Sequence, residues 1–259
     1  MDLAQLLQWN LSFFFLIFAR WGGMIMLAPV FGARGVPVLV KLGLVVSITA
    51  VMYPLLLGTQ VEIPQETLPY VGVLIKELLF GLVIGFVISL VTSVIQGAGQ
   101  LIAFQMGFLM GNFLDPVNGT QSPVIANFQM ILTTMLLLAF NAHHIMIAAM
   151  AKSYTFVPIV ASGITLGADF CISLILQVFS MSIQIALPVF GALVLADVGV
   201  GLLSRTVPQL NIMSVIFPVK IIFGFILLFL SMLLFGETVN QLFRTNMVWL
   251  YELFRGWGP

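Results

Sequence analysis

Apolar runs about as long as a hydrocarbon layer is thick recur along this chain, and they exclude most soluble architectures before any motif is considered. A spanning helix needs about 20 predominantly apolar residues. Leu11–Val30 meets that length with Arg20 as its one charge, Val38–Leu57 is a second run and Val71–Ile95 a third. Gly58–Pro69, with Glu62 and Glu66, reads as the turn between the second and third. Val124–Ala151 is a fourth run, interrupted in its middle by Asn141-Ala142-His143-His144. Ala168–Leu203 would be roughly 54 Å long as one helix, too long for a simple span, and Pro188 is expected to kink it. Ile212–Phe235 is the last strongly apolar run, and Gly236–Pro259 reads as an amphipathic tail with Glu237, Arg244, Glu252 and Arg255. The fold class expected is all-α, built of hairpin-rich membrane-type helices.

Composition supports this. Of the 259 residues 61% are hydrophobic and 7% charged, against about 45–50% and about 25% in soluble domains. Nine basic residues balance nine acidic ones, so there is no electrostatic case for nucleic acid. The single cysteine, Cys171, has no partner for an intramolecular disulfide and reads as a small packing residue. Asp2 is the one charge before Arg20, so no basic leader precedes the first run, which is expected to be retained. The lysine and arginine asymmetry that orients membrane proteins is weak here. Arg34 and Lys41 mark one side of the first hairpin, and Lys152, Arg205 and Lys220 are scattered beyond it. A weak charge pattern and an overlong segment both fit a protein packed among partners.

The stretch Gln96–Pro123 departs from this plain apolar background. It is rich in glycine, methionine and phenylalanine, and holds no lysine or arginine. Gly107 and Gly111 are four apart, a spacing that admits a second backbone if the segment is helical. Asp115-Pro116 enforces an extended or turn geometry. Irregular backbone at membrane depth is tolerated only inside protein or beside a water-filled cavity, so this stretch is expected to be buried in an assembly or to line a passage. Met106 and Met110 admit two readings: ordinary helix packing, or a deformable seal, because methionine adapts to irregular gaps. Gly81 and Gly85 repeat the four-residue spacing in the third run, suited to tight helix contact.

Charges inside apolar segments cost about 2.5–3.5 kcal/mol on insertion scales, which singles out Arg20, Asp197, Arg205 and Lys220. Asp197 and Arg205 are too far apart on one helix to touch, so their partners lie elsewhere. Structural ion pairing or snorkelling is one reading, and a polar network holding a multi-subunit channel the other. His143-His144 has no carboxylate or cysteine within a turn, and neighbours on a helix face different ways. Packing or interface histidines are therefore expected there, with no metal site. There is no nucleophile elbow, phosphate loop or metalloprotease motif. The scattered serines are expected to bond the preceding helical turn. No catalytic, cofactor-binding or metal-binding residues are assigned.

The order of motifs resembles the FliR family of flagellar export-gate subunits, which has a counterpart in the injectisome. The resemblance rests on Arg20, Ala28-Pro29-Val30-Phe31-Gly32, Val36-Pro37 and Lys41, then Gly81, Gly85, Ala98-Gly99, Gln105-Met106-Gly107 and Asp115-Pro116. Phe140-Asn141-Ala142-His143-His144, Ser153, Ala186-Leu187-Pro188, Asp197, Gly201-Leu202, the run Ser204–Asn211 and Phe217-Pro218 complete it. Ala142 stands where the family pattern has glycine.

The resemblance implies a single FliR-type unit over residues 1–259, with a FliP-like part at 1–167 and a FliQ-like helical hairpin at 168–259. It implies a helical hetero-oligomer with FliP-type and FliQ-type subunits, alongside FlhB-type and FlhA-type export components. The setting would be the inner membrane, within the flagellar basal body, and the cargo unfolded flagellar proteins. It also implies a plug at the stretch Gln105, Met106, Gly107, Phe108, Leu109, Met110, Gly111, Asn112, Phe113 and Leu114, anchored by Asp115 and Pro116. Arg20, Asp197, Arg205, Gln209 and Asn211 would make polar contacts within the chain or to neighbours. Two rivals stand beside this reading. One is a small-solute secondary transporter with its coupling site at Pro188 and Asp197; the other is an assembly factor that only templates the gate.

Overall fold

The computed structural model describes residues 3–33, 35–57, 63–108, 124–160, 167–206 and 212–257. These form helices throughout: α1 (Leu3–Leu27), α2 (Val38–Leu56), α3 (Thr67–Met106), α4 (Val124–Ala139), α5 (Ala142–Phe156), α6 (Ala168–Thr206) and α7 (Ile212–Trp257). No strand occurs among the described residues. A chain this apolar has few side chains able to satisfy backbone amides, so each segment satisfies its own by the helical ladder. Five of the helices, α1, α2, α3, α6 and α7, are long and apolar enough to cross a membrane, and α4 with α5 makes a sixth if that bent pair counts as one span.

Several boundaries differ from those expected. The third run does not end at Ile95: α3 continues through Gly97 and Gly99 to Met106, so the first part of the glycine-rich stretch is helical. Glycine weakens a helix in water, but packed apolar helices use it for close approach. Gly236 does not start a separate tail, because α7 runs unbroken over 46 residues. Pro188 lies inside a continuous α6, as Pro54 does in α2 and Pro218 in α7. The break anticipated near Asn141 is present. Asn141 takes a left-handed conformation (φ 55°), and the chain turns by 72° between α4 and α5. Asparagine is among the few residues other than glycine that visit that region readily.

The chain divides into two compact units. The first comprises Met1–Leu90, Leu137–Gly167 and Phe243–Pro259. There α1 packs on α2, and α1 crosses the first half of α3 at very short range. A Cβ on Gly81 would collide with the Arg20 carbonyl, one on Gly23 would lie 2.5 Å from the Leu78 carbonyl oxygen, and one on Gly85 2.7 Å from that of Met24. The four-residue glycine spacing thus serves a backbone-to-backbone crossing. The end of α7 closes the same unit. Its Asn246 donates to the Val87 carbonyl at 2.7 Å, Trp257 meets Phe80 edge-on at 5.0 Å, and Phe254 stacks on Phe156 at 5.8 Å.

The second unit comprises Val91–Leu136 and Ala168–Leu242. Its core gathers Ala98, Ile102, Ala103 and Met106 of α3, Ile125 of α4, Ala186, Val189 and Leu193 of α6, and Leu228 of α7. Small residues again set the spacing: a Cβ on Gly99 would lie 2.6 Å from the Cα of Ala126.

The glycine crossing is testable. Gly81→Leu is expected to destabilise the chain by about 3 kcal/mol or more, because backbone cannot yield to the added carbons. Gly191→Ala, at a site with open space around it, should change stability by no more than about 1 kcal/mol. The temperature at which the detergent-extracted chain loses monodispersity checks both.

Candidate functional site

Two polar clusters stand out against the apolar background, one in each unit. In the first, Arg20 of α1 and Glu77 of α3 are both essentially inaccessible to solvent. Arg20 Nε donates to Glu77 Oε2 at 2.5 Å and Nη2 to Oε1 at 3.0 Å, a bidentate pair. Nη1 donates to the Val157 carbonyl at 2.9 Å and reaches Ser153 Oγ at 3.4 Å. The Tyr154 ring lies 4.4 Å from the guanidinium carbon and the Phe80 ring 5.2 Å. Glu77 Oε1 also accepts from the Val160 amide at 3.4 Å, where the backbone is left-handed (φ 71°). The planar guanidinium therefore has partners along its edge and aromatic faces about it, the arrangement that makes a buried arginine tolerable. Chemically the cluster is closed, a tie between α1, α3, α5 and the turn after α5.

The second cluster sits at the end of α3. Lys220 Nζ of α7 donates to Asp197 Oδ2 of α6 at 2.7 Å, and Gln105 Nε2 of α3 donates to the same oxygen at 2.8 Å. One carboxylate oxygen thus ties three helices together. The next three residues are docked as well. Met106 is fully buried, and its side chain occupies the space where Gly224 lacks a Cβ, which would lie 2.7 Å from it. Gly107 adopts φ 86°, and a Cβ there would lie 3.1 Å from the Phe217 ring. The Phe108 ring meets Phe225 edge-on at 5.9 Å.

The end of α3 has a definite chemical cause. The Gly107 amide donates to the Phe104 carbonyl at 3.0 Å and the Phe108 amide to that of Ala103 at 3.2 Å. This bond pair around a left-handed glycine is the standard glycine cap of a helix C-terminus. Gly107 is therefore a cap; it does not serve as a helical contact glycine paired with Gly111.

Of the residues singled out from sequence, Arg20 belongs to the first cluster, and Asp197, Lys220 and Gln105 make up the second. Met106, Gly107 and Phe108 adjoin the second. Leu109, Met110, Gly111, Asn112, Phe113, Leu114, Asp115 and Pro116 lie outside the described residues, as do Gln209, Asn211 and the side chain of Arg205. Glu77 was missed. Its signal was present: an acid in an apolar run, four residues before Gly81. The rings of His143 and His144 lie 4.2 Å apart. Among the described residues no group of three or more histidine, cysteine, aspartate or glutamate side chains is placed to hold a metal ion.

Comparison with known proteins bears on the whole chain. The family described as bacterial export proteins, family 1, matches residues 11–246. The flagellar biosynthetic protein FliR of Pectobacterium carotovorum subsp. carotovorum is 34% identical over 245 residues, covering 92% of this chain and 91% of that protein. FliR of Bacillus subtilis (strain 168) is 31% identical over 239 residues, 90% and 91% of the two chains. Yop proteins translocation protein T of Yersinia pestis is 26% identical over 224 residues, 84% and 85% of the two.

The buried pair and the helix cap each make a prediction. Arg20→Met strands the Glu77 carboxylate and should cost about 3–5 kcal/mol, whereas Arg20→Met with Glu77→Leu should recover much of that loss. Thermal stability of the four members of this cycle decides it; a loss in the double variant equal to the sum of the two single losses would mean the pair is not coupled. Gly107→Ala forces a Cβ into a left-handed backbone and should destabilise the end of α3 by about 1–2 kcal/mol. Faster amide exchange at Phe108 than at Ala186 would report that loss.

Proposed function

The chain belongs to family 1 of the bacterial export proteins, the family of the flagellar FliR proteins, and on that premise we propose that it is a core subunit of the flagellar type III protein-export gate. The observation that carries this reading is the family match over residues 11–246. The flagellar role, in preference to an injectisome role, is supported by higher identity to the two FliR proteins, 34% and 31%, than to the Yersinia translocation protein, 26%.

In this reading the chain is a non-enzymatic membrane subunit. It joins FliP-type and FliQ-type subunits to enclose the passage, with FlhB-type and FlhA-type components alongside, in the inner membrane at the flagellar basal body. The portion at 1–167 takes the place of a FliP-like subunit and that at 168–259 of a FliQ-like hairpin. Uncovered apolar surface supports the need for neighbours: α2, α6 and α7 expose large hydrophobic side chains such as Leu39, Leu195 and Leu233 along their length. Exported chains of unrelated sequence must pass without being held, and ions must not pass at rest. A flexible methionine, phenylalanine and glycine segment suits both demands. We assign residues 105–114 to that plug and Asp115-Pro116 to its anchor. Arg20, Asp197, Arg205, Gln209 and Asn211 are the polar contacts that set the subunit's shape and joints.

Two measurements test this. Co-expressed with FliP-type and FliQ-type partners, the chain is expected in a large hetero-oligomer as a single copy, read by native mass spectrometry from mild detergent. A monomer or homodimer indifferent to those partners would overturn the gate reading and favour a solute transporter. Deleting residues 108–113 should raise ion conductance of the resting complex in planar bilayers while the oligomer still forms. An unchanged resting conductance would remove the plug assignment and leave the assembly role.

A further inference from the structure

We infer that Asp197 is a latch: by sharing one carboxylate oxygen between Lys220 and Gln105, it holds the last turn of α3 docked on α6 and α7 and so fixes the segment that leaves α3 at Gly107. The inference rests on the gate reading for its consequence, but not for its geometry. Both bonds are short, 2.7 Å from Lys220 and 2.8 Å from Gln105, and both end on Oδ2. Lys220 itself is mostly covered, its side chain 14% exposed. Around the cluster the contacts are apolar and adaptable. Met106 rests in the gap at Gly224, Gly107 lies against the Phe217 ring, and Phe108 meets Phe225.

This division of labour is the physical argument. Methionine and phenylalanine contacts are undirected and slide. The polar triad is directional, and bonds to an ionised acceptor are stronger than neutral ones. Undocking the end of α3 takes Gln105 off the carboxylate, and with it withdraws Met106 from its socket. Redocking restores one geometry, because the amide of Gln105 has a fixed acceptor to return to. A purely apolar end of α3 would have several packings of similar stability. The triad therefore gives the end of α3, up to Phe108, one docked position. In this scheme Asp197 and Gln105 are positioning residues, and Gly224 is part of the socket.

The test reads the buried position next to Gln105 directly. In the full complex carrying Cys171→Ser, Met106→Cys is labelled with N-ethylmaleimide, whose rate follows the undocked population. Removing one bond to a charged acceptor should raise that population about tenfold. Gln105→Ala, which keeps the Asp197–Lys220 pair and is expected to fold, should raise the labelling rate by about that factor. Asp197→Asn removes the charge that both Lys220 and Gln105 bond and should raise the rate at least as much; the two together should do no more than Asp197→Asn alone, since Gln105→Ala removes a bond that this change has already weakened. Lys220→Arg, which keeps the charge, should leave the rate near that of the parent. An unchanged rate in Gln105→Ala, or additive effects in the double variant, would overturn the latch. Resting conductance of the same complexes separates the two proposals. Faster labelling with no added leak keeps the latch and removes the plug role, whereas added leak with unchanged labelling removes the latch.

Discussion

A guanidinium and a carboxylate closed off from water can exist in an apolar fold only together, and the first unit is built around one such couple. Arg20 and Glu77 meet edge to edge, and the remaining donors of the guanidinium go to Ser153 and Val157. The pair requires α1 and α3 to approach closely, and the glycines at 23, 81 and 85 provide that approach. The dependence runs both ways. With side chains in place of those glycines the helices would separate and the ions would lose their geometry. Without the ions the bond from the Tyr70 hydroxyl to the Ser12 carbonyl, at 3.1 Å, would be left as a far weaker directional tie between the two helices. A buried ion pair adds little net stability once desolvation is counted, so its value here is register.

The helical class and most of the spans were legible because length and apolarity alone define them. Gly81 and Gly85 were legible as a contact face because four-residue small spacing has one common use in apolar helices. Asn141 was legible as a break because polar residues interrupt a run there and asparagine tolerates the left-handed region. Other features were hidden for physical reasons. Gly97 and Gly99 look like helix breakers in a water-based reckoning, yet α3 passes through both because packing against Ser182 and Ala126 uses their missing side chains. Gly236 looks like a boundary, but Phe235, Val239, Leu242 and Phe243 are buried on both sides of it and the helix continues. Pairing was the least legible. Nothing in the spacing of Asp197 indicates Lys220 or Gln105, since the partners are set by which helices cross. Of the stretch assigned to the plug, residues 105–108 have a described geometry, and the role of Gly107 as a helix cap was not legible because it depends on where α3 ends.

The long helices impose a further constraint. At 1.5 Å per residue α3, with 40 residues, is about 60 Å long, and α7, with 46, about 70 Å. A hydrocarbon core is about 30 Å thick. Straight spans of this length cannot be contained in one, and the second half of α7 carries Glu237, Arg244, Glu252 and Arg255. Burial differs sharply between them: in an apolar 18-residue window of each, 56% of the residues are buried in α3, but only 17% in α6 and in α7. Helix α3 is thus an internal scaffold, whereas α6 and α7 carry apolar surface for some other medium. This also accounts for the faint lysine and arginine asymmetry. That asymmetry records how loops sort across a bilayer, and it carries little information where helices are long enough to project well past the hydrocarbon.

The two polar clusters then have different tasks despite similar chemistry. Arg20 and Glu77 are sealed, with the two charges matched inside one unit, so the cluster acts as a fixed joint. Asp197 is different: its side chain is 41% exposed, while its partner Lys220 is largely covered. A carboxylate still in contact with solvent is less costly to separate from its partners than one with none, because water can replace the lost bonds. The same three helices could have been joined by leucines at greater stability and with less definition. An accessible acid held by a covered lysine and a glutamine amide gives a joint that is specific when closed and can open at moderate cost. It lies at the C-terminal end of α3, beside the glycine that caps the helix.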